Sequence, residues 1–484
     1  MADEEKPGFV DKIRSQAKDF PGWYTDVVRK AQLADYSPVK GCMVIRPYGY
    51  ALWENIRDAL DDMIKKTGHE NWYFPALIPL SFLQKEAEHV EGFAHEFQTV
   101  THGGGKELDE PLVLRPTSET MLASVLRDYI QSYRDLPMLT NQWNNVFRWE
   151  LRTRLFLRTR EFLWQEGHTF HETPAEAEQE VATMLDCYRQ IAEDWCAMPV
   201  LSGRKSEAEK FAGAQYSTSI EVMMKDGKAL QSGTSHYFGD NFSRAYDLTF
   251  TGQSNALEYP YSTSWGMSTR MVGAIVMAHG DEAGLQLPPR IAPIQVVVIP
   301  IFRSDTERSQ IESALAPVVA QLDADDIRVK VDWRDSRPGF KFNEWELKGV
   351  PIRLEVGPRD LAKGEVTLVQ RLDKVKEAVP LQDLPVAIAA RLGRIQAAML
   401  DGARQFREAH TQRVDSMDAL VRFFNDSIGF VITPWCGSPE DENRVKQETT
   451  ATTRVILDRS ISDGSACAIC GRPATSEVVW AKAY

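Results

Sequence analysis

Residues 287–293, Leu-Pro-Pro-Arg-Ile-Ala-Pro, divide the chain into two hydrophobic patterns that one sheet cannot satisfy. Prolines fix φ and remove backbone donors, so neither a helix nor a central strand runs through this joint. Before it, β-rich pieces follow one another without a helix after each: LVLRPTS, QWNNVFRWEL, the run from Phe156 to His168, and SHYFGDNFSRAYDLTF. Strands in that order pair antiparallel, with helices flanking the sheet. VDKIRSQAKDF, PGWYTDVVRKAQLA and GYALWENIRDALDDMIKKTG read as helices, the last ending at Gly68, and VKGCMVIRP reads as a strand. After the joint, the strands IQVVVIPI, IRVKVDW and PIRLEVG alternate with helical SQIESALAPVVAQL and FNEWELKG. That βαβαβ order builds a small parallel or mixed sheet. A helical pattern from Leu384 to His410 leads into a third piece, where SMDALVRFFND, GFVITPW, TTRVILD and EVVWAKAY read as compact α/β. The expected fold class is α+β, divided at 1–290, 291–382 and 383–484. These are an antiparallel-sheet domain, an α/β domain, and a linker helix with a small α/β terminal domain.

A chain of 484 residues has ample length for a core in each piece. No run approaches the roughly 20 apolar residues of a membrane span, and the polar start MADEEKPGFVDKIRSQAKDF lacks a secretory pattern. Six cysteines in so long a chain do not make a disulfide framework, which points to a reducing cytosol. A net charge of −13 argues against indiscriminate binding of polyanions. It leaves room for a local basic face, such as Arg328 to Lys376, where 12 Lys and Arg stand against 8 Asp and Glu.

Three stretches carry chemistry. In VFRWE, strand alternation would put Arg148 and Glu150 on one face. The arginine can fork onto a phosphate, and the carboxylate can hold magnesium or an amino group. In STSWGMSTRMVGAIVMAH, Gly266 and Ser268 allow a ligand close to the backbone, and Arg270 opens an apolar helix that would hold it rigidly. In NWYFPALIP, Pro75 sits in an extended, aromatic segment. Taken singly, these permit a structural ion pair, a glycine turn and an edge proline.

Together and in this order they resemble the three signature motifs of class II aminoacyl-tRNA synthetases, with Pro75 in motif 1, Arg148, Glu150 and Phe162 in motif 2, and Arg270 in motif 3. The stretches LRPTSE, FLRTREFLWQEGHT, QSGTSHYFG and WGMSTR are more specific: they are similar to the prolyl-tRNA synthetases, in the archaeal and eukaryotic-like form, and the likeness runs over nearly the whole chain. Motif 3 ends Ser-Thr-Arg rather than Glu-Arg, which belongs with the narrower group. The resemblance implies proline–tRNA ligase activity: proline and ATP, with Mg2+, give prolyl-adenylate, then prolyl-tRNA and AMP.

It also implies roles. Arg148 holds the α-phosphate and the amino acid carboxylate, Arg270 the γ-phosphate, and Phe162 stacks on adenine. Glu150 helps bind ATP or magnesium, Thr159 and Arg160 lie against the nucleotide or the tRNA end, and Gln231, Thr234 and Ser268 lie near the nucleotide. Thr117, Glu119, Trp164, Glu166, His168 and His236 surround proline. A pocket that reads mainly a small ring discriminates weakly against alanine or cysteine. About ninety residues between motifs 2 and 3 leave no space for a large editing insertion. The other classes of answer are a non-catalytic paralogue that binds tRNA or a regulatory partner, and an enzyme activating threonine or serine.

Past the joint, WELKGVPIRLEVGPRDLAKGEVTLVQR resembles the anticodon-binding domain of the same group. Arg353 and Arg359 are candidates to read guanines bidentately, with Glu346 accepting from a base amino group. Near the end, Cys467 and Cys470 form a CxxC knuckle with Cys436 upstream. The family's zinc-bearing version has a further cysteine five positions after the first, where this chain has Asp441. Three thiols and an oxygen make a structural zinc site one reading and a metal-free domain the other. Cys42, Cys187 and Cys196 lack ligand spacing and are expected to be buried. The resemblance further implies a homodimer through motif 1, a cytoplasmic enzyme without membrane attachment, and a C-terminal Tyr484 that returns toward the active site.

Overall fold

The computed structural model describes residues 12–87, 97–457, 461 and 464–484. Six strands form the frame that carries the site. Val200–Arg204, Tyr216–Met223, Ala229–Gly239, Tyr261–Ser268, Glu161–His171 and Met138–Phe147 lie side by side in that order, every neighbour antiparallel. One face packs on the helix Pro174–Gln190, whose start is fixed by a capping box between Thr173 and Glu176. Helices Phe20–Lys30, Pro47–Lys66 and Arg270–His279 complete this core with Trp23, Tyr24, Leu52 and Ile56. Every residue from Met271 to His279 is buried, so Arg270 stands at the first turn of a helix packed into the core.

The segment after the proline joint is a mixed five-stranded sheet. Val329–Val331, Val296–Pro300 and Ile352–Val356 run parallel, and Glu365–Gln370 and Lys376–Pro380 add antiparallel edges. Its Arg371 reaches back to Asp281, donating to both carboxylate oxygens at 2.9 and 2.6 Å.

The long helix Leu384–Ala409 leads to a third set of strands that does not close on itself. Thr452–Leu457 extends the first sheet by pairing Ile456 with Arg204, giving eleven strands in one sheet. The seam depends on Gly203, where a Cβ would stand 2.1 Å from the Ile456 carbonyl oxygen.

Several expectations need correction. VDKIRSQAKDF begins outside the described residues, and 12–19 are not helical: Asp19 accepts from the Gly22 amide and caps the following helix, so the chain turns there. SHYFGDNFSRAYDLTF holds a helix at Asn241–Ala245 between strands. The run from Phe156 becomes a strand only at Glu161, because Phe156 has φ +61° in the turn that joins Arg154 to Arg158. Arg148 and Glu150 lie past the end of their strand, and the Glu150 amide turns back onto the Arg148 carbonyl at 2.8 Å. Strand alternation therefore does not align them. Cys187 and Cys196 are buried, whereas Cys42 is only half-buried.

Candidate active site

Cross-strand register brings residues distant in sequence onto one wall. Ser217, His236, Ser264, His168 and Thr140 are directly opposed in successive strands, and Ser219, Thr234, Gly266, Glu166 and Gln142 form the next row. A third pairing sets Ser268 beside Trp164, and Trp164 beside Asn144. Opposed residues share a face, so each row presents polar groups to the same side.

That side is a cavity lined by Thr117, Glu119, Arg148, Phe162, Trp164, Glu166, His168, Gln231, Thr234, His236, Ser268 and Arg270. Glu119 opens the helix Glu119–Leu126, where an acidic group is favoured, and accepts hydrogen bonds from Thr117 and, at 3.0 Å, from Ser264. Glu166 is fully engaged: it accepts from the Ser118 amide at 3.1 Å, from the Ser118 hydroxyl, from Gln142 at 3.1 Å and from Asn144 at 2.6 Å, and pairs with His168 at 3.0 Å. Burial would raise its pKa, yet His168 and these donors lower it to about 2. Glu166 lines the cavity with a carboxylate already engaged by the protein's own donors.

Burial lowers His168, but the Glu166 hydrogen bond and the charges of Glu119 and Glu166 outweigh it, and its pKa is raised. His236 is the opposite case. Burial, then the charges of Lys205, His168 and Arg148, lower it to about 3, so it is neutral with Nδ1 2.7 Å from the Ser217 hydroxyl.

The two arginines stand at the open side. Arg148 donates from Nε to the Pro116 carbonyl at 3.1 Å, and its guanidinium lies 5.5 Å from the Phe162 ring and 5.3 Å from the Trp164 ring. Arg270 donates to the Leu157 carbonyl at 3.0 Å and the Gln231 carbonyl at 3.4 Å. Burial and the like charges of Arg158 and Arg148 lower it to about 10, which leaves it charged at neutral pH. Arg148, Arg158 and Arg270 thus gather positive charge at one place, as binding of a polyphosphate requires.

Glu150, Thr159 and Arg160 do not line this cavity. Glu150 accepts from Arg158 at 3.3 Å, Thr159 turns inward to the Glu161 carbonyl at 2.7 Å, and the Arg160 guanidinium lies 3.6 Å from the Trp149 ring centre. Lys205, Phe211, Ser217 and Ser264 were missed and do line it. Alternation from His236 would have pointed to Ser264 once the strands were paired; Lys205 carried no signal.

The model of the tRNA synthetase class II core domain (G, H, P, S and T) matches residues 97–279, that of the anticodon binding domain 295–391, and that of the prolyl-tRNA synthetase C-terminal region 417–484. Proline–tRNA ligase 2 of Clostridioides difficile (strain 630) is 49% identical over 485 residues, covering 100% of both chains. The proline–tRNA ligase of Roseiflexus castenholzii (strain DSM 13941 / HLO8) is 52% identical over 479 residues, covering 98% of this chain and 99% of that one. The chain belongs to the prolyl-tRNA synthetase family. A solved prolyl-tRNA synthetase from Cryptosporidium parvum, complexed with halofuginone and AMPPNP, superposes with a TM-score of 0.93 at 38% identity, covering 97% of this chain and 99% of that one.

Two more features of this prolyl-tRNA synthetase bear on its sites. In the second domain, Glu346, Arg353, Lys374 and Lys376 line one cavity with Trp345, while Arg359 lies outside it on the short helix Pro358–Leu361. Arg353 is not idle: it pairs with Glu355 at 2.9 Å and stacks 4.5 Å from the Phe342 ring. Near the C-terminus, ligand atoms of Cys436, Asp441, Cys467 and Cys470 all lie within 4.8 Å of one another, and Cys436 Sγ is 3.7 Å from Cys470 Sγ. The chain's end packs against the catalytic sheet, where Ala483 and Tyr484 border a second cavity walled by Arg152, Arg154, Arg158 and Arg270. The Tyr484 hydroxyl donates to Asp226 at 2.6 Å.

Proposed function

We infer that this prolyl-tRNA synthetase is an active proline–tRNA ligase, which joins L-proline to ATP as prolyl-adenylate and transfers it to the 3′ end of tRNA(Pro), releasing pyrophosphate and AMP. The observation that carries this is one cavity lined by Glu119 and His168 together with Arg148, which lies over the Phe162 and Trp164 rings, and Arg270.

Carboxylate attack on the α-phosphorus needs alignment and charge neutralisation more than a general base. The Glu119 carboxylate, held by Thr117 and Ser264, takes the secondary ammonium, and Trp164 forms the wall for the ring. Arg148 bridges the amino acid carboxylate and the α-phosphate, so nucleophile and electrophile meet in one grip. Arg270 takes the γ-phosphate, which selects a bent triphosphate, and Phe162 stacks on adenine, with Gln231, Thr234 and Ser268 along the nucleotide. Thr159 and Arg160 position the turn that carries Arg148, whose amide donates to the Arg160 carbonyl at 2.9 Å. Magnesium would supply neutralisation of the triphosphate, and Glu150, whose Oε2 accepts from Arg158, would help to hold it.

Glu346 and Arg353 read anticodon bases from their shared cavity, and Arg359 contacts the adjoining backbone. Cys436, Cys467, Cys470 and Asp441 bind structural zinc: the 3.7 Å sulfur separation suits two corners of a zinc tetrahedron. Elemental analysis is expected to find about one zinc per chain, and less than about a tenth would overturn it. Tyr73 and Leu77, exposed on either side of Pro75, favour a homodimer through this segment, which sedimentation would test. The enzyme works in the cytoplasm, and no helix among the described residues is long and apolar enough to cross a membrane. Domain limits at 1–290, 291–382 and 383–484 assign catalysis, anticodon binding and the zinc-bearing region.

ATP–pyrophosphate exchange measured with each standard amino acid tests the whole reading. Exchange with proline is expected; its absence, or stronger exchange with threonine or serine, would overturn it.

A further inference from the structure

A buried ion cluster joins the C-terminal region to the wall of the amino acid pocket. Glu221 has no exposed surface, and its carboxylate accepts from Arg454 Nε at 3.1 Å, Arg454 Nη2 at 3.0 Å, Lys205 Nζ at 3.3 Å and Ser219 Oγ at 3.2 Å. Lys205 Nζ also donates to the Arg454 carbonyl at 3.2 Å. Arg454 comes from the terminal strand Thr452–Leu457, whereas Lys205 follows Val200–Arg204 and lines the cavity beside Ser217 and His236. A second polar link adjoins it, with Glu442 accepting from Ser206 at 2.9 Å and Thr453 at 2.6 Å.

Two cations share the one Glu221 carboxylate, and Glu209, which also lines the cavity, acts on Lys205 from the other direction. Buried ion clusters are costly to desolvate, and apolar side chains of like volume often hold a seam as well or better. Seam stability alone therefore gives no reason for this cluster, while its position does. The arginine fork grips both oxygens of Glu221, which fixes the carboxylate against which Lys205 is set. The ammonium then belongs to the same cavity wall as Ser217 and neutral His236.

We propose that Arg454 is a positioning residue for the proline pocket: acting through Glu221, it holds the Lys205 ammonium in the pocket wall, so that amino acid binding requires the docked C-terminal region. This rests on the proposed function, in taking the cavity to be the proline site. The fixed lysine keeps the pocket wall beside Ser217 and His236 in one arrangement. The C-terminal region thereby has a task in amino acid recognition, separate from the reading of tRNA.

The test is steady-state ATP–pyrophosphate exchange by full-length Arg454→Met and Arg454→Lys, with circular dichroism to show the fold. Arg454→Met is expected to raise KM for proline about tenfold, with KM for ATP and kcat within about twofold of wild type. Arg454→Lys, which keeps charge but not the fork, is expected to recover part of the loss. Equal rises in both KM values, or an unchanged KM for proline, would overturn the proposal. If Arg454→Met does not fold, Lys205→Met leaves the Arg454–Glu221 pair intact and must show the same split. A wild-type protein without proline-dependent exchange would overturn the proposed function; an active wild type with no split in the variants overturns only this inference.

Discussion

Glu166 and His168, two residues apart on one strand, meet at 3.0 Å and hold each other ionised in the interior. Burial works against both charges, and the pair survives because Ser118, Asn144 and Gln142 also donate to the carboxylate.

The pair makes stability depend on pH in two directions. Glu166, lowered from 4.5 to about 2, contributes stability that is present above 4.5 and lost as pH falls through about 2. His168, raised from 6.5, contributes in full below 6.5 and loses its share as pH rises through the raised value. The melting-temperature difference between wild type and His168→Asn is therefore expected to be largest between these limits and to shrink above neutrality. A difference that stays constant up to alkaline pH would contradict the ionised pair.

Arg148→Lys and Arg270→Lys should each lower kcat for proline-dependent exchange by about 10²–10³ while leaving the melting temperature nearly unchanged. Lysine keeps the charge but not the planar fork that grips two phosphate oxygens. Arg270 already stands among like charges, so its fold loses little on substitution. Activity within about threefold of wild type would remove these side chains from the transition state.

Gly167 lies between Glu166 and His168, and a Cβ there would stand 2.1 Å from the Trp265 ring, which is itself buried. Gly167→Ala is expected to destabilise the protein by about 1–3 kcal/mol in urea unfolding. Adding Trp265→Leu should recover part of that loss; no recovery would place the strain elsewhere.

Arg371 and Asp281 join the second domain to the segment that follows Arg270's helix. A double-mutant cycle with Arg371→Met and Asp281→Asn should give a coupling energy of about 1–3 kcal/mol, since the contact is bidentate and Arg371 is buried. Aminoacylation of tRNA is expected to fall further than amino acid activation. A coupling near zero would make the contact incidental.

Much of the site could be read along the chain because its residues sit in recognisable local stretches. Thr117 precedes and Glu119 opens one helix, Trp164, Glu166 and His168 alternate on one strand, and Arg270 opens another helix. Less could be read wherever a turn redirects the backbone. Arg148 and Glu150 diverge because the chain turns back on itself after Phe147, and Thr159 faces inward because its hydroxyl meets a backbone carbonyl.

Local periodicity and the proline joint were enough to order the elements and to separate an antiparallel sheet from a βαβαβ segment, since those signals act within ten or so residues. Register, docking and charge balance were not, because they depend on partners far away in the chain. Only the folded molecule surrounds Glu166 with donors, aligns His236 with His168 through Ser264, and carries Arg454 across the Gly203 seam to Glu221 and Lys205. Each of these follows from backbone pairing and burial between segments that share no local pattern.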